Sequence, residues 1–104
     1  MNESQQQAVD AAQEYLSSGQ GFSYEGLLQQ LTSSYGSGFS KSDAEFAIGY
    51  LNPNWDQQAV EAAKGYLSSG EGFSQSSLLQ QLTSSYGSGF TEAQAEYAVS
   101  KTMG

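Results

Sequence analysis

This sequence predicts an all-α protein of two tandem three-helix repeats, their helix-turn-helix-like units packed together, and three observations predict it. The stretch Gln6 to Ala47 returns as Gln57 to Ala98, displaced by 51 positions, and Leu27 to Phe39 recurs unchanged as Leu78 to Phe90. Within each copy apolar residues fall at spacings of three and four, the period of a helix buried along one side. Glycine and serine gather between those stripes, as turns and caps do, and no alternating run is long enough for a strand. A chain that repeats helices together with their turns has duplicated a folding unit, so a residue held in only one copy is not expected to be structural. The repeats are read as 1–52 and 53–104.

The elements follow in order. Ala8, Val9, Ala12, Tyr15 and Leu16 form the first stripe, on a helix over about Gln5 to Ser17 that Gly19 stops with left-handed backbone. Phe22, Ser23 and Leu27 read as a hydrophobic staple around a serine cap, so a second helix begins there, carries Leu27, Leu28 and Leu31, and ends near Tyr35-Gly36. Phe39-Ser40 with Asp43, and Phe90-Thr91 with Gln94, start the third helix of each copy, the latter as a capping box. Its buried side is Ala44, Ala47, Ile48 and Leu51, and in the second copy Ala95, Ala98 and Val99. Pro53 stops the chain from running on as helix, and Asn54 with Gln57 caps the first helix of the second copy.

Composition sets limits on function. Each unit is close to the smallest size that folds alone, so the two copies are expected to pack on each other. Cysteine and histidine are both absent, which removes disulfides, thiolate metal sites and the usual base for a nucleophile. With 3 basic and 11 acidic side chains the formal charge is -8, which repels nucleic acid and anionic membranes and attracts a basic partner. The start, Met1 to Ser4, has no basic segment and no apolar core of a signal, and nowhere do about twenty apolar residues run together. The chain as it stands is expected to be soluble.

Comparing the copies removes most chemistry. Lys41 becomes Glu92, Lys64 matches Gln13, and Lys101 matches Tyr50, so no lysine is duplicated as a catalytic base would be. Asp10 and Glu14 lie four apart on one helical side, but the second copy has Glu61 and Gly65. Glu92 and Glu96 make a similar pair, against Lys41 and Glu45, which reads as a surface ion pair. No loop is rich enough in oxygen ligands for calcium. The turns Gly19-Gln20-Gly21 and Gly36-Ser37-Gly38 follow no strand and lack the lysine of a phosphate loop. The helix-turn-helix shape invites DNA, yet the last helices carry Asp43, Glu45, Glu92 and Glu96 where phosphate contacts need cations. No cofactor and no metal are therefore expected.

Aromatic residues recur at equivalent places, Tyr15, Phe22, Tyr35, Phe39 and Phe46 with Tyr66, Phe73, Tyr86, Phe90 and Tyr97, and recurrence favours packing over a ligand platform. Tyr24 and Tyr50 lack aromatic counterparts. With Trp55 they are candidates for a seam between repeats or an exposed contact.

The combination of Ala8-Ala12-Tyr15-Leu16, Gly21-Phe22-Ser23, Gly26-Leu27, Gln30-Leu31, Tyr35-Gly36, Gly38-Phe39-Ser40, Ala44-Glu45-Phe46-Ala47 and Trp55, taken up again through Glu96-Tyr97-Ala98-Val99, resembles the repeat of the host cell surface-exposed lipoprotein (Ltp) family of Gram-positive bacteria and their phages. The resemblance implies paired helix-turn-helix-like repeats outside the cell, lipid-anchored in the full-length protein by an N-terminal cysteine that this chain does not carry. It also implies a prophage-encoded role in superinfection exclusion, in which DNA entry is blocked by contact with the incoming phage's tape measure protein. The reading is a non-enzymatic, extracellular protein-binding domain whose partner offers a basic segment. Its speculative contacts are Asp10, Glu14, Glu45, Glu61, Glu92 and Glu96. A structural or adhesive module of the bacterial envelope is the second reading, and a DNA-binding helix-turn-helix protein a distant third.

Overall fold

The computed structural model describes residues 1–85 and 87–104. Six helices make up those residues: α1 Glu3–Leu16, α2 Tyr24–Thr32, α3 Lys41–Leu51, α4 Trp55–Leu67, α5 Gln75–Thr83 and α6 Glu92–Met103. The fold is all-α. Tyr86, counted above among the recurring aromatics, lies outside the described residues.

Local chemistry places the helix starts. The side chains of Ser23, Ser40, Asn54, Ser74 and Thr91 each accept the backbone N–H three residues on, filling a donor that the first helical turn leaves unpaired. Thr91 and Gln94 close the expected reciprocal box. α1 starts two residues earlier than expected because Asn2 and Gln5 make another such box, with bonds of 2.9 and 2.8 Å. α2 ends at Thr32, short of the expected Tyr35-Gly36. Ser33 turns extended, and the following turn folds back to use the freed carbonyls: Ser37 N–H donates to Gln30, and Phe39 N–H to Leu31 at 2.8 Å. Gly36 is required there, since a Cβ would stand 2.2 Å from the Gln30 carbonyl oxygen. Tyr35, at the tip of this turn, is fully exposed, so its recurrence does not reflect packing.

Each repeat closes its own core. In the first, Ala8, Val9, Ala12, Leu27, Leu31, Ala44, Ala47 and Ile48 are buried together. In the second, Ala59, Val60, Ala62, Ala63, Leu78, Leu82, Phe90, Ala95 and Ala98 are. Alanines line the faces where α1 meets α3 and where α4 meets α6, the two most extensive helix pairings, because small side chains let the helices approach closely. The leucines of α2 and α5 plug the open side of each pair. Leu27, Leu31, Leu78 and Leu82 are fully buried, each worth about 2 to 3 kcal/mol of apolar transfer.

The copies touch, as expected, but they do not merge their cores. The molecule is elongated, 45 × 24 × 20 Å, with one apolar cluster toward each end and a polar seam between them. Trp55 is the exception. It opens α4 yet packs on the core of the first repeat, its ring 5.9 Å from that of Tyr24 in an edge-to-face arrangement. Tyr50 stacks on Phe46 and remains exposed.

Two cores predict two partly separable stabilities. Leu78→Ala is expected to cost about 2 to 5 kcal/mol. In native-state hydrogen exchange, amides of α4 to α6 should lose protection well before those of α1 to α3. Equal loss in both repeats would mean that the molecule opens only as one unit.

Candidate functional site

The seam is built on the corner between α1 and α2. Gly21, with φ +83° at Gly19 before it and φ +80° of its own, turns the chain so that a Cβ at position 21 would lie 2.3 Å from the Ala62 backbone nitrogen of α4. Only glycine allows that approach. Across the contact, Gln58 of α4 is buried, and its amide satisfies both ends of the corner. Its Oε1 accepts the Phe22 N–H at 2.9 Å, and its Nε2 donates to the Leu16 carbonyl at 3.3 Å, the last residue of α1. A second bridge lies nearby: the buried Ser23 hydroxyl, while capping α2, donates to the Ser88 carbonyl of the second repeat.

These contacts leave a groove along the seam. One part, of about 460 Å³, is lined by Gln20, Phe22, Gln30, Gly65, Tyr66 and Ser88 among others. It adjoins a recess of about 220 Å³ that shares Gly26, Gly87 and Ser88 and brings in Glu25, Gln29 and Thr83. The lining mixes hydroxyls, amides and bare glycine backbone with the apolar Phe22 and Ala62, and Glu25 is its one acid among the described residues. Tyr66 and Ser88 hydroxyls pair across it at 2.9 Å. Such a surface can hydrogen-bond an extended polar segment.

The six acids named from the sequence are placed separately. Asp10 and Glu14 lie one turn apart on the outer side of α1, where Asp10 accepts from Gln6 at 3.0 Å. Glu45 is exposed on α3, Glu61 is half-buried on α4, and Glu92 and Glu96 lie a turn apart on exposed α6. The structure makes no single patch of them, and no group of three acids that would hold a metal exists among the described residues. The ion pair expected between Lys41 and Glu45 does not form, and among the described residues no carboxylate is paired with a lysine. Long exposed side chains lose more rotamer freedom on pairing than the screened attraction returns. Lys101 instead sits 5.5 Å from the centre of the Tyr97 ring. The acids therefore act outward, as an uncompensated field.

Sequence comparison of the copies missed Gln58, Ser23 and Ser88 as seam residues. Their counterparts are Gln7, Ser74 and Ser37, identical in kind, so comparison returned no difference to notice. Glu25, which stands at the groove where the second copy has Ser76, is a difference between the copies that does mark the site.

Two like bundles of three helices, with a groove along their seam and acids on their outer sides, define a tandem helical-repeat protein. The sequence model of the host cell surface-exposed lipoprotein (Lipoprotein_Ltp) matches residues 3–51 and again 54–101, and the chain belongs to that family. Among solved structures it is similar to Ltp, a superinfection exclusion protein from the Streptococcus thermophilus temperate phage TP-J34, at 29% identity over 96% of each chain and a TM-score of 0.83. No curated protein matches the chain. Among the described residues no helix is long and apolar enough to cross a membrane.

Gln58→Ala leaves two part-buried backbone groups without their side-chain partner and is expected to destabilise by about 1 to 3 kcal/mol, with faster exchange of the Phe22 amide. Gln7→Ala, at the exposed equivalent position, should stay within about 0.5 kcal/mol of the parent in urea unfolding. Equal effects would refute the bridging role of Gln58.

Proposed function

We propose that this chain is a superinfection exclusion domain that acts at the outer face of the cell by binding and not by catalysis. It would block DNA entry by engaging a basic segment of the incoming phage's injection apparatus, with the tape measure protein as the intended partner. The observation that carries this reading is the set of unpaired acids on a scaffold that is similar to a phage exclusion protein over 96% of both chains. Carboxylates on exposed helical positions attract a cationic segment over about a Debye length, and rigid helices hold them in fixed spacing. An anionic surface of this kind repels a phosphate backbone, which argues against the DNA-binding reading despite the shape of the repeats.

The test is anchored display of the chain on a phage-sensitive host, with adsorption and DNA entry measured separately. Adsorption should be unchanged and DNA entry should fall. Neutralising Asp10, Glu14, Glu45, Glu61, Glu92 and Glu96 to their amides should restore entry, and should slow association with a purified basic segment by about tenfold or more at low salt. Normal entry by every phage tested, with the displayed chain still folded, would favour the envelope-module reading. A mobility shift of duplex DNA at physiological salt is expected to be absent.

A further inference from the structure

Three recesses meet along α2. The two at the seam, of about 460 and 220 Å³, share Gly26 with a third of about 490 Å³ that is lined also by Gln29, Gln30 and Tyr35. Together they make one track from the fully exposed Tyr35 to Ser88 of the second repeat. Residues that open it are held in one copy only. Gly26 stands where the second repeat has Ser77, whose hydroxyl accepts the Ser74 N–H at 2.9 Å, a capping bond that glycine cannot make. Gly65, in the last turn of α4, stands where the first repeat has Glu14, and a Cβ there would meet nothing within 4 Å. Glycine is disfavoured inside a helix because it has more backbone freedom to lose. Packing does not require it at position 65, and the space its missing side chain leaves is the track itself. Glu25, in place of Ser76, faces the second repeat across the seam, where a Cβ at Gly89 would lie 3.6 Å from its own.

We propose, resting on the binding reading above, that this track holds an extended segment of the partner polypeptide in which small residues flank a lysine or arginine, the cation paired with Glu25. The outward acids attract the segment from a distance, and the track keeps it, a division between association and dissociation that separates rim charges from a contact groove. Small flanking residues fit because the floor is glycine backbone and short side chains. The amides of Gln29 and Gln30 and the Ser88 hydroxyl both donate and accept, so they can pair with the segment's own N–H and carbonyl groups. The cation follows from Glu25, whose carboxylate has no hydrogen-bonded partner among the described residues, in a chain of formal charge -8. At the other end of the track, the Tyr35 ring offers a face to the same or a second cation.

The experiment is a titration of the ¹⁵N-labelled full chain, followed by amide shifts, with pooled octapeptides of Gly, Ala and Ser around one central lysine. Matching pools carry a central glutamate, or Leu and Phe in place of the small residues. Saturable shifts are expected at Gly26, Gly65 and Ser88 with the lysine pool, and binding weaker by about fivefold or more with each of the others. Gly65→Gln should weaken the lysine pool by about tenfold while unfolding no earlier than the parent, since its side chain enters open space, and Gly65→Ala should raise the unfolding midpoint. Glu25→Ser, at an exposed position, should erase the preference for lysine over glutamate. Shifts located elsewhere, equal binding by Gly65→Gln, or no saturation at about 1 mM would overturn the proposal. Neutralising the six outward acids should slow association and leave the same amides shifting. If that variant alone abolishes binding and the Gly65 and Glu25 variants do not, the outward acids hold the segment, and the track is refuted while the binding reading stands. Undiminished DNA entry with the track still binding the lysine pool would refute the exclusion reading and leave the track.

Discussion

A buried amide sets how the two repeats of this molecule meet. Gln58 brings a donor and an acceptor to a chain corner whose backbone groups have no helical partner. Once that side chain is seated, α4 lies against the turn between α1 and α2, and the Ala62 backbone comes so close to Gly21 that no other residue fits. The Ser23 hydroxyl then meets the Ser88 carbonyl, and Trp55 reaches over Tyr24. The groove along the seam exists because these contacts are made by backbone and short side chains, which set the repeats near each other without filling the space between them.

The energetics divide along the same line. Apolar burial is spent within each repeat, on alanine-lined helix pairs closed by two leucines, and the seam adds hydrogen bonds and one aromatic contact. Hydrogen bonds of this kind contribute little net stability when made but cost much when one partner is lost. The seam therefore specifies geometry more than it adds stability. The cores hold the helices, and the outward sides carry the acids.

Duplication proved a good guide to scaffold and a poor one to role. The expectation that a residue held in one copy is not structural fails for Trp55, which packs on the first core and meets the exposed Tyr24 edge to face. Conversely, Gln7 and Gln58 are the same residue, yet one lies on an exposed helix surface bonded to Glu3 while the other is buried. Ser74 and Gly72 likewise sit in open surroundings where Ser23 and Gly21 are clamped. The reason is that the repeats join head to tail. Each presents a different end to the other, so identical residues meet unlike neighbours.

From the residues alone came the helices, their caps, the alanine and leucine cores and the acidic character, since each depends on residues within about four positions or on composition. The early stop of α2 did not follow, because it requires a turn that returns to carbonyls of the preceding helix. Nor did the site. The bonds that form the seam join residues 36, 42 and 65 positions apart, and no local pattern distinguishes Gln58 from Gln7. Acidic residues could be named from the chain, but whether they gather or spread was a matter of how the helices lie. That arrangement is made only when one repeat docks on the corner of the other.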